Sequence, residues 1–226
     1  MLSILSNGSR GGRGLMRRIK DAIKRTPAWP VIRELYAAAW GHAHRLGYGR
    51  IPPPHAYKQR EVKRYAKQAK IRTLVETGTY MGHMIDATRH SFDHIYSIEL
   101  DNALHEAAAR RFAGNERVIL LKGDSGVIVP ELVDKVNEPA LFWLDAHWSG
   151  GTTASGEERS PILKELVPIL TAKQRAHIIL IDDAREFVGA DGYPTLRELT
   201  GIVSRHRPDL EMAVHADLIR IGPRSR

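Results

Sequence analysis

The 226-residue chain contains no cysteine. That excludes a disulfide framework, a thiolate zinc site and a cysteine nucleophile, and it agrees with a reducing compartment. No apolar run reaches the roughly 18 residues of a membrane span. The apolar stretch at 2–5 is too short for a signal-peptide core, so the expectation is a cytoplasmic protein. The eleven histidines are scattered without the spacing of a zinc site.

What the chain has in excess is positive charge, +8 in total, and it is unevenly spread. Residues 1–70 hold 16 Lys and Arg against 3 Asp and Glu, a net of +13, whereas the remainder is net −5. A basic balance by itself suggests nucleic acid or an anionic membrane surface. Here the excess belongs to the amino-terminal third and says little about the chemistry of the main domain.

The Gly-, Ser- and Arg-rich residues 1–14 read as disordered. Residues 15–25 set Leu15, Met16, Ile19 and Ile23 on one helical face among Arg17, Arg18, Lys20, Lys24 and Arg25. Such a basic amphipathic helix either lies on an anionic membrane or packs as a cap over the main domain. Further helices are expected at 30–46 and 57–70, the second with Val62, Tyr65, Ala66 and Ala69 inward and a basic face outward.

Beyond Lys70, short apolar runs alternate with helical patterns. Strands are expected at 71–76, 94–99, 118–122, 140–145, 177–182, 210–214 and 218–221, and helices at 82–90, 102–112, 125–136, 161–170 and 195–205. Alternating β and α units imply a parallel sheet covered on both faces. The last two runs are too close for a crossover and must form an antiparallel hairpin. The expected fold is therefore α/β: a Rossmann-like, doubly wound, mostly parallel sheet of seven strands with a C-terminal hairpin. A helical amino-terminal extension over 1–56 precedes a catalytic domain over 57–226.

In open α/β sheets ligands bind outside the carboxyl ends of the strands. Acidic residues end or immediately follow all five parallel strands: Glu76, Glu99, Asp124, Asp145 and Asp182-Asp183. Glycine punctuates the first turn, Glu76-Thr77-Gly78-Thr79-Tyr80-Met81-Gly82, where the backbone must turn tightly and approach a ligand. Glu99, about twenty residues further on, suits the two ribose hydroxyls. Helix capping explains any one of these acids, Asp124 included, but not the whole set. The first turn is not the G-x-G-x-x-G of dinucleotide folds, which counts against NAD.

At these residues the chain resembles the class I S-adenosylmethionine-dependent methyltransferases over 71–221. The Glu-x-Gly-x-x-x-Gly turn with Thr-Tyr after its first glycine is similar to the small-molecule O-methyltransferase branch that includes the catechol and caffeoyl-CoA enzymes. The chain is also similar to uncharacterised bacterial proteins that carry Pro-Pro-Pro-His, Glu-Thr-Gly-Thr-Tyr and Leu-Asp-Ala-His-Trp together, which extends the match back to Pro52. The resemblance implies S-adenosylmethionine as cofactor, with Glu76 and Gly78 at its methionine part, Glu99 at the ribose and Asp124 at the adenine amino group. Thr79, Tyr80, Gly82, Ser125 and Asp145 complete the implied cofactor site. The family usually has a further glycine where Tyr80 stands.

In metal-dependent members, an Asp after the fourth strand and an Asp-Asn pair after the fifth hold Mg²⁺. It draws the acceptor hydroxyl toward its anion. Asp145, Asp182 and Asp183 are the matching positions; the alternative is that the aspartate pair starts a loop and binds nothing. Asp145 and His147 are the catalytic candidates, His147 as general base with an ordinary pKa near 6.5 or as a loop residue that only hydrogen-bonds. Trp148 either stacks on a ligand or belongs to the core, and the Gly-rich loop 149–160 is either a lid or an idle surface loop. The expected partner is a small hydroxylated acceptor such as a sugar. The alternatives are a non-catalytic S-adenosylmethionine-binding module and an RNA methyltransferase guided by the basic amino-terminal third. Against RNA stand the acidic substrate face and the absence of an Asn-Pro-Pro-Tyr motif after the fourth strand.

Overall fold

The computed structural model describes residues 26–46, 52–145, 160–174 and 176–224. The expected helix at 15–25, His147, Trp148 and most of the 149–160 loop lie outside the described residues.

The strands are β1 (Thr73–Thr77), β2 (His94–Glu99), β3 (Val118–Lys122), β4 (Ala140–Leu144), β5 (Ile178–Ile181), β6 (Leu210–His215) and β7 (Leu218–Pro223). They form one sheet in the order β3-β2-β1-β4-β5-β7-β6, parallel through β5 and antiparallel at β7 and β6. The helices are α1 (Trp29–Arg45), α2 (His55–Ala69), α3 (His83–Thr88), α4 (Asn102–Arg111), α5 (Ser125–Val133), α6 (Ile162–Thr171) and α7 (Leu196–His206). Among the described residues no helix is long and apolar enough to cross a membrane.

Successive side chains of a strand point to opposite faces, and both faces here are apolar. Val75, Phe142, Leu144, Ile179 and Ile181 pack with Val129 of α5, Leu166 and Ile169 of α6 and Leu199 of α7. Leu74, Leu141, Trp143, Ile178 and Leu180 pack on the other side with Ala37 of α1, Tyr57 and Val62 of α2, Ile85 of α3 and Ala108 of α4. The result is a helix–sheet–helix sandwich, as the alternating pattern requires.

Several element ends differ from the sequence reading, each for a local reason. Ile71 is not part of β1: Lys70 adopts φ 55° and the Ile71 amide donates to Ala66 O at 2.9 Å, closing α2. Ala69 is exposed, and the buried face of α2 runs instead through Tyr57, Lys58, Glu61, Val62 and Ala66. The cap of α6 is Pro161, with Ser160 Oγ accepting the Ile162 amide at 3.3 Å. After β5 the chain makes an unanticipated 3-10 turn, Ala184–Glu186.

The β6–β7 hairpin turns on Ala216 and Asp217 at φ 52° and 63°, with His215 opposite Leu218. Two central residues with positive φ match the right-handed twist of the flanking strands.

Candidate functional site

The sheet order reverses between β1 and β4, so the crevice beyond their carboxyl ends is the topological switch point. Gly78 lies there at φ +83°, and a β-carbon on it would stand 3.4 Å from Asp145 Cβ. Any side chain at 78 would fill the gap between the ends of the two strands. The amides of Gly78 and Thr79 donate to Ile98 O at 3.0 and 3.2 Å, fixing the turn to the end of β2.

Beneath the turn, Ser97 Oγ donates to Glu76 Oε2 at 2.6 Å and lies 2.7 Å from Thr79 Oγ1. The Glu76 carboxyl is 2% exposed, and burial, reinforced by Asp145 and Glu99, pushes its pKa up to about 8. Thr79 is thus a buried strut toward Ser97. Glu99 accepts the Tyr80 amide on Oε2 and the Asp101 amide on Oε1, both at 2.8 Å. Each carboxylate oxygen can accept a second hydrogen bond, so the capacity for hydroxyl donors remains.

Tyr80 takes φ +47° with its ring exposed. Its backbone is in the left-handed region where glycine is at ease, which explains why glycine is usual at this place in the resembled family. Gly82, at φ +69°, caps α3, and a β-carbon there would sit 2.7 Å from Phe112 Cε2. Its glycine is required by packing.

At the end of β3, the exposed Asp124 caps α5 by accepting the Gly126 amide at 2.8 Å. The Ser125 and Thr77 hydroxyls stand near the Glu165 carboxyl and favour its charged form, against burial. Glu165 is 1% exposed, its Oε1 has no hydrogen-bond partner among the described residues, and burial pushes its pKa up to about 7. Sequence reasoning missed it, although a signal was present: at helical spacing it falls on the stripe of Ile162, Leu166 and Ile169. A carboxyl on an apolar face marks a buried polar role.

The acids ending β4 and β5 do converge. Asp145, Asp182 and Asp183 each offer a carboxylate oxygen, all within 4.8 Å of one another. Into them comes Lys58 of α2, also missed, with Nζ 2.5 Å from Asp182 Oδ2 and 3.4 Å from Asp183 Oδ1. Its signal was again helical spacing, four residues before Val62 on the inward face. Asp182 Oδ1 accepts the Asp183 amide at 2.8 Å, and Arg185 Nη1 donates to Asp183 Oδ1 at 2.7 Å and to Asp217. Burial alone would lower the Lys58 ammonium's pKa, but the two aspartates outweigh it and raise it. Burial pushes the Asp182 carboxyl up despite the ammonium beside it.

The three carboxylates have the chemistry of a hard-cation site. Both oxygens of Asp182 are nevertheless engaged, and the ammonium stands among the donors. A divalent ion does not fit this arrangement unless Lys58 leaves.

No protein-family model and no curated protein matches the chain. Solved structures do. The chain is similar to the O-methyltransferase TomG from Streptomyces achromogenes, solved with S-adenosylmethionine: TM-score 0.54, 14% identity, 84% of this chain and 89% of that one. It is similar to an O-methyltransferase from Bacillus cereus in complex with S-adenosylhomocysteine, at TM-score 0.53 and 13% identity over 93% and 97% of the two chains. The Podospora anserina methyltransferase PaMTH1 aligns over 97% of this chain and 99% of its own, at TM-score 0.52 and 16% identity. Such identities speak for architecture, and the sheet order agrees: the chain has the fold of the class I S-adenosylmethionine-dependent methyltransferases.

Proposed function

We propose that the protein transfers a methyl group from S-adenosylmethionine to an oxygen of a small hydroxylated metabolite or sugar. Residues 57–226 form the catalytic domain in this reading, and 1–56 are an extension to it. The observation that carries it is the convergence of Glu76, Glu99 and Asp145 on the glycine turn at the switch point, with the space of a β-carbon kept open at Gly78. The cofactor bound in structures of this fold agrees with it.

S-adenosylmethionine supplies an electrophilic methyl on a positively charged sulfur. When bound, it would supply that methyl for in-line transfer to the acceptor oxygen, with the S–CH₃ bonding pair staying on the sulfur, which would become neutral. The Glu99 and Asp145 carboxylates beside the turn suit a cationic ligand and favour it over its neutral-sulfur product. Glu99 accepts the ribose hydroxyls, Glu76 and Gly78 meet the methionine part, and Asp124 and Ser125 border the adenine. Asp145 stands beside the methyl donor, and His147, two residues on, takes the acceptor's proton. Positioning supplies much of the rate in such a transfer, since reacting atoms held in line convert a bimolecular step into a unimolecular one.

Calorimetric titration with S-adenosylmethionine and its demethylated product tests the reading. Binding of both, with transfer of labelled methyl to members of a panel of small hydroxylated compounds, is the expected result. Binding without transfer to any acceptor would favour a non-catalytic module, and no binding would overturn the reading altogether.

A further inference from the structure

We propose that Lys58 is the resident cation of the Asp145/Asp182/Asp183 cluster, holding by its own ammonium the place that a divalent ion would otherwise take. Three carboxylate oxygens within 4.8 Å repel one another unless positive charge stands among them. Two such charges come from the chain itself. Lys58 bridges Asp182 and Asp183, and Arg185 binds Asp183 from the side of the β6–β7 turn. The side chains of Asp182 and Asp183 are 6% and 3% exposed and that of Lys58 11%, so the bridge is shielded from water and salt.

The lysine is not a surface residue that has drifted inward. Its neighbours Tyr57, Gln59 and Val62 are buried. Gln59 Nε2 donates to His83 O at 2.9 Å, fixing α2 to the start of α3. The helix therefore delivers the ammonium to the ends of β4 and β5 as part of the fold. An ion entering the cluster would have to expel a buried ammonium from its two carboxylates. A monovalent, strongly hydrated point charge on a flexible stem neutralises such a pair without demanding octahedral ligand geometry.

The catalytic consequence, which rests on the methyl-transfer reading above, is that transfer needs no divalent metal. The binding consequence stands without it and is tested first. Mn²⁺ is titrated into the wild-type protein and into Lys58→Met, following the free-ion electron paramagnetic signal and the melting temperature. The wild type is expected to bind with a dissociation constant above about 1 mM, and Lys58→Met at least about tenfold more tightly with a higher melting temperature in Mn²⁺. Adding Asp182→Asn should erase that gain, and Lys58→Arg, which keeps the charge, should not show it. Wild-type binding below about 100 μM that Asp182→Asn removes, or no gain in the lysine variant, would overturn the proposal. Should Lys58→Met fail to fold, Lys58→Gln carries the gain-of-site arm and the wild-type titration is unaffected. Where methyl transfer is detected, EDTA should leave the wild type active, and Mn²⁺ should restore activity lost in Lys58→Met. Absence of transfer to every acceptor would count against the functional reading and leave the Mn²⁺ titration as the measure of this one.

Discussion

At the β1–β2 side of the crevice the acids are held by near neighbours. Glu99 takes the amides of Tyr80 and Asp101, and Glu76 takes the hydroxyl of Ser97, the residue opposite it on the adjacent strand. At the β4–β5 side, Asp182 is matched by a lysine 124 residues earlier in the chain, and Asp183 by an arginine that also holds Asp217. One half is made of backbone geometry and short polar links, the other of ion pairs across the fold. Backbone-built sites depend on a few φ angles and are indifferent to most side chains. Sites built on buried charge are sensitive to each partner, because the unmatched charge stays behind.

The largest expected effect breaks the ion-paired half. Lys58→Ala should lower unfolding free energy by about 3–5 kcal/mol, since it strands buried carboxylates. Urea denaturation measures this, and the further change Asp182→Asn should recover part of it. A loss within a few tenths would show the pair to be solvated.

In the backbone-built half, Glu99→Ala should weaken S-adenosylmethionine binding by about 1.5–3 kcal/mol, the worth of hydrogen bonds to a charged group. Calorimetry reads it directly, and unchanged affinity would remove Glu99 from the ribose.

A third measurement compares the halves by pH. Glu76 and Glu165 are raised from 4.5 to about 8 and about 7, chiefly by burial. The folded protein then keeps protons that the unfolded chain has already lost. Stability is fully present below the unfolded value and falls as pH rises from about 4.5 through about 8. Glu165→Gln should flatten the decline in melting temperature between about 4.5 and about 7, leaving the part above it to Glu76, and an unaltered slope there would remove Glu165 from it.

The smallest effect sharpens the contrast. Tyr80→Gly relieves a left-handed backbone at an exposed side chain, worth roughly 1–2 kcal/mol, against roughly 0.4–1 kcal/mol of added unfolded-state entropy. A gain between about 0 and about 1.6 kcal/mol is expected, with cofactor affinity unchanged, because the position contributes its amide.

The same division governs what the sequence makes legible. β2 and β3 are found at their expected bounds, because continuous apolar runs between turns define buried parallel strands. Asp101, Asp124 and Thr195 cap helices through bonds to amides two or three residues on, a purely local logic. The convergence of Asp145, Asp182 and Asp183 follows from the rule that strand ends share one edge. Lys58 and Glu165 escaped because their partners are distant in sequence. A basic residue on a helix reads as solvated until the opposing acids are known. The periodicity that puts both on inward faces was present, and it was outweighed by residue type.

Arg185 is clamped between Asp183 and Asp217, and Asp217 O accepts the Ala184 amide at 2.9 Å. The hairpin turn is thus a latch on the acid cluster. During synthesis, Asp145, Asp182 and Asp183 all leave the ribosome before Asp217 does, so the cluster cannot reach its final charge balance until β6 and β7 have emerged and paired. β7 must also insert between β5 and β6. A nascent chain stalled short of this hairpin would carry the cofactor turn complete and the acid cluster unlatched. Amide exchange in the β5 end and the 3-10 turn should consequently rise and fall with opening of the hairpin, as one cooperative unit.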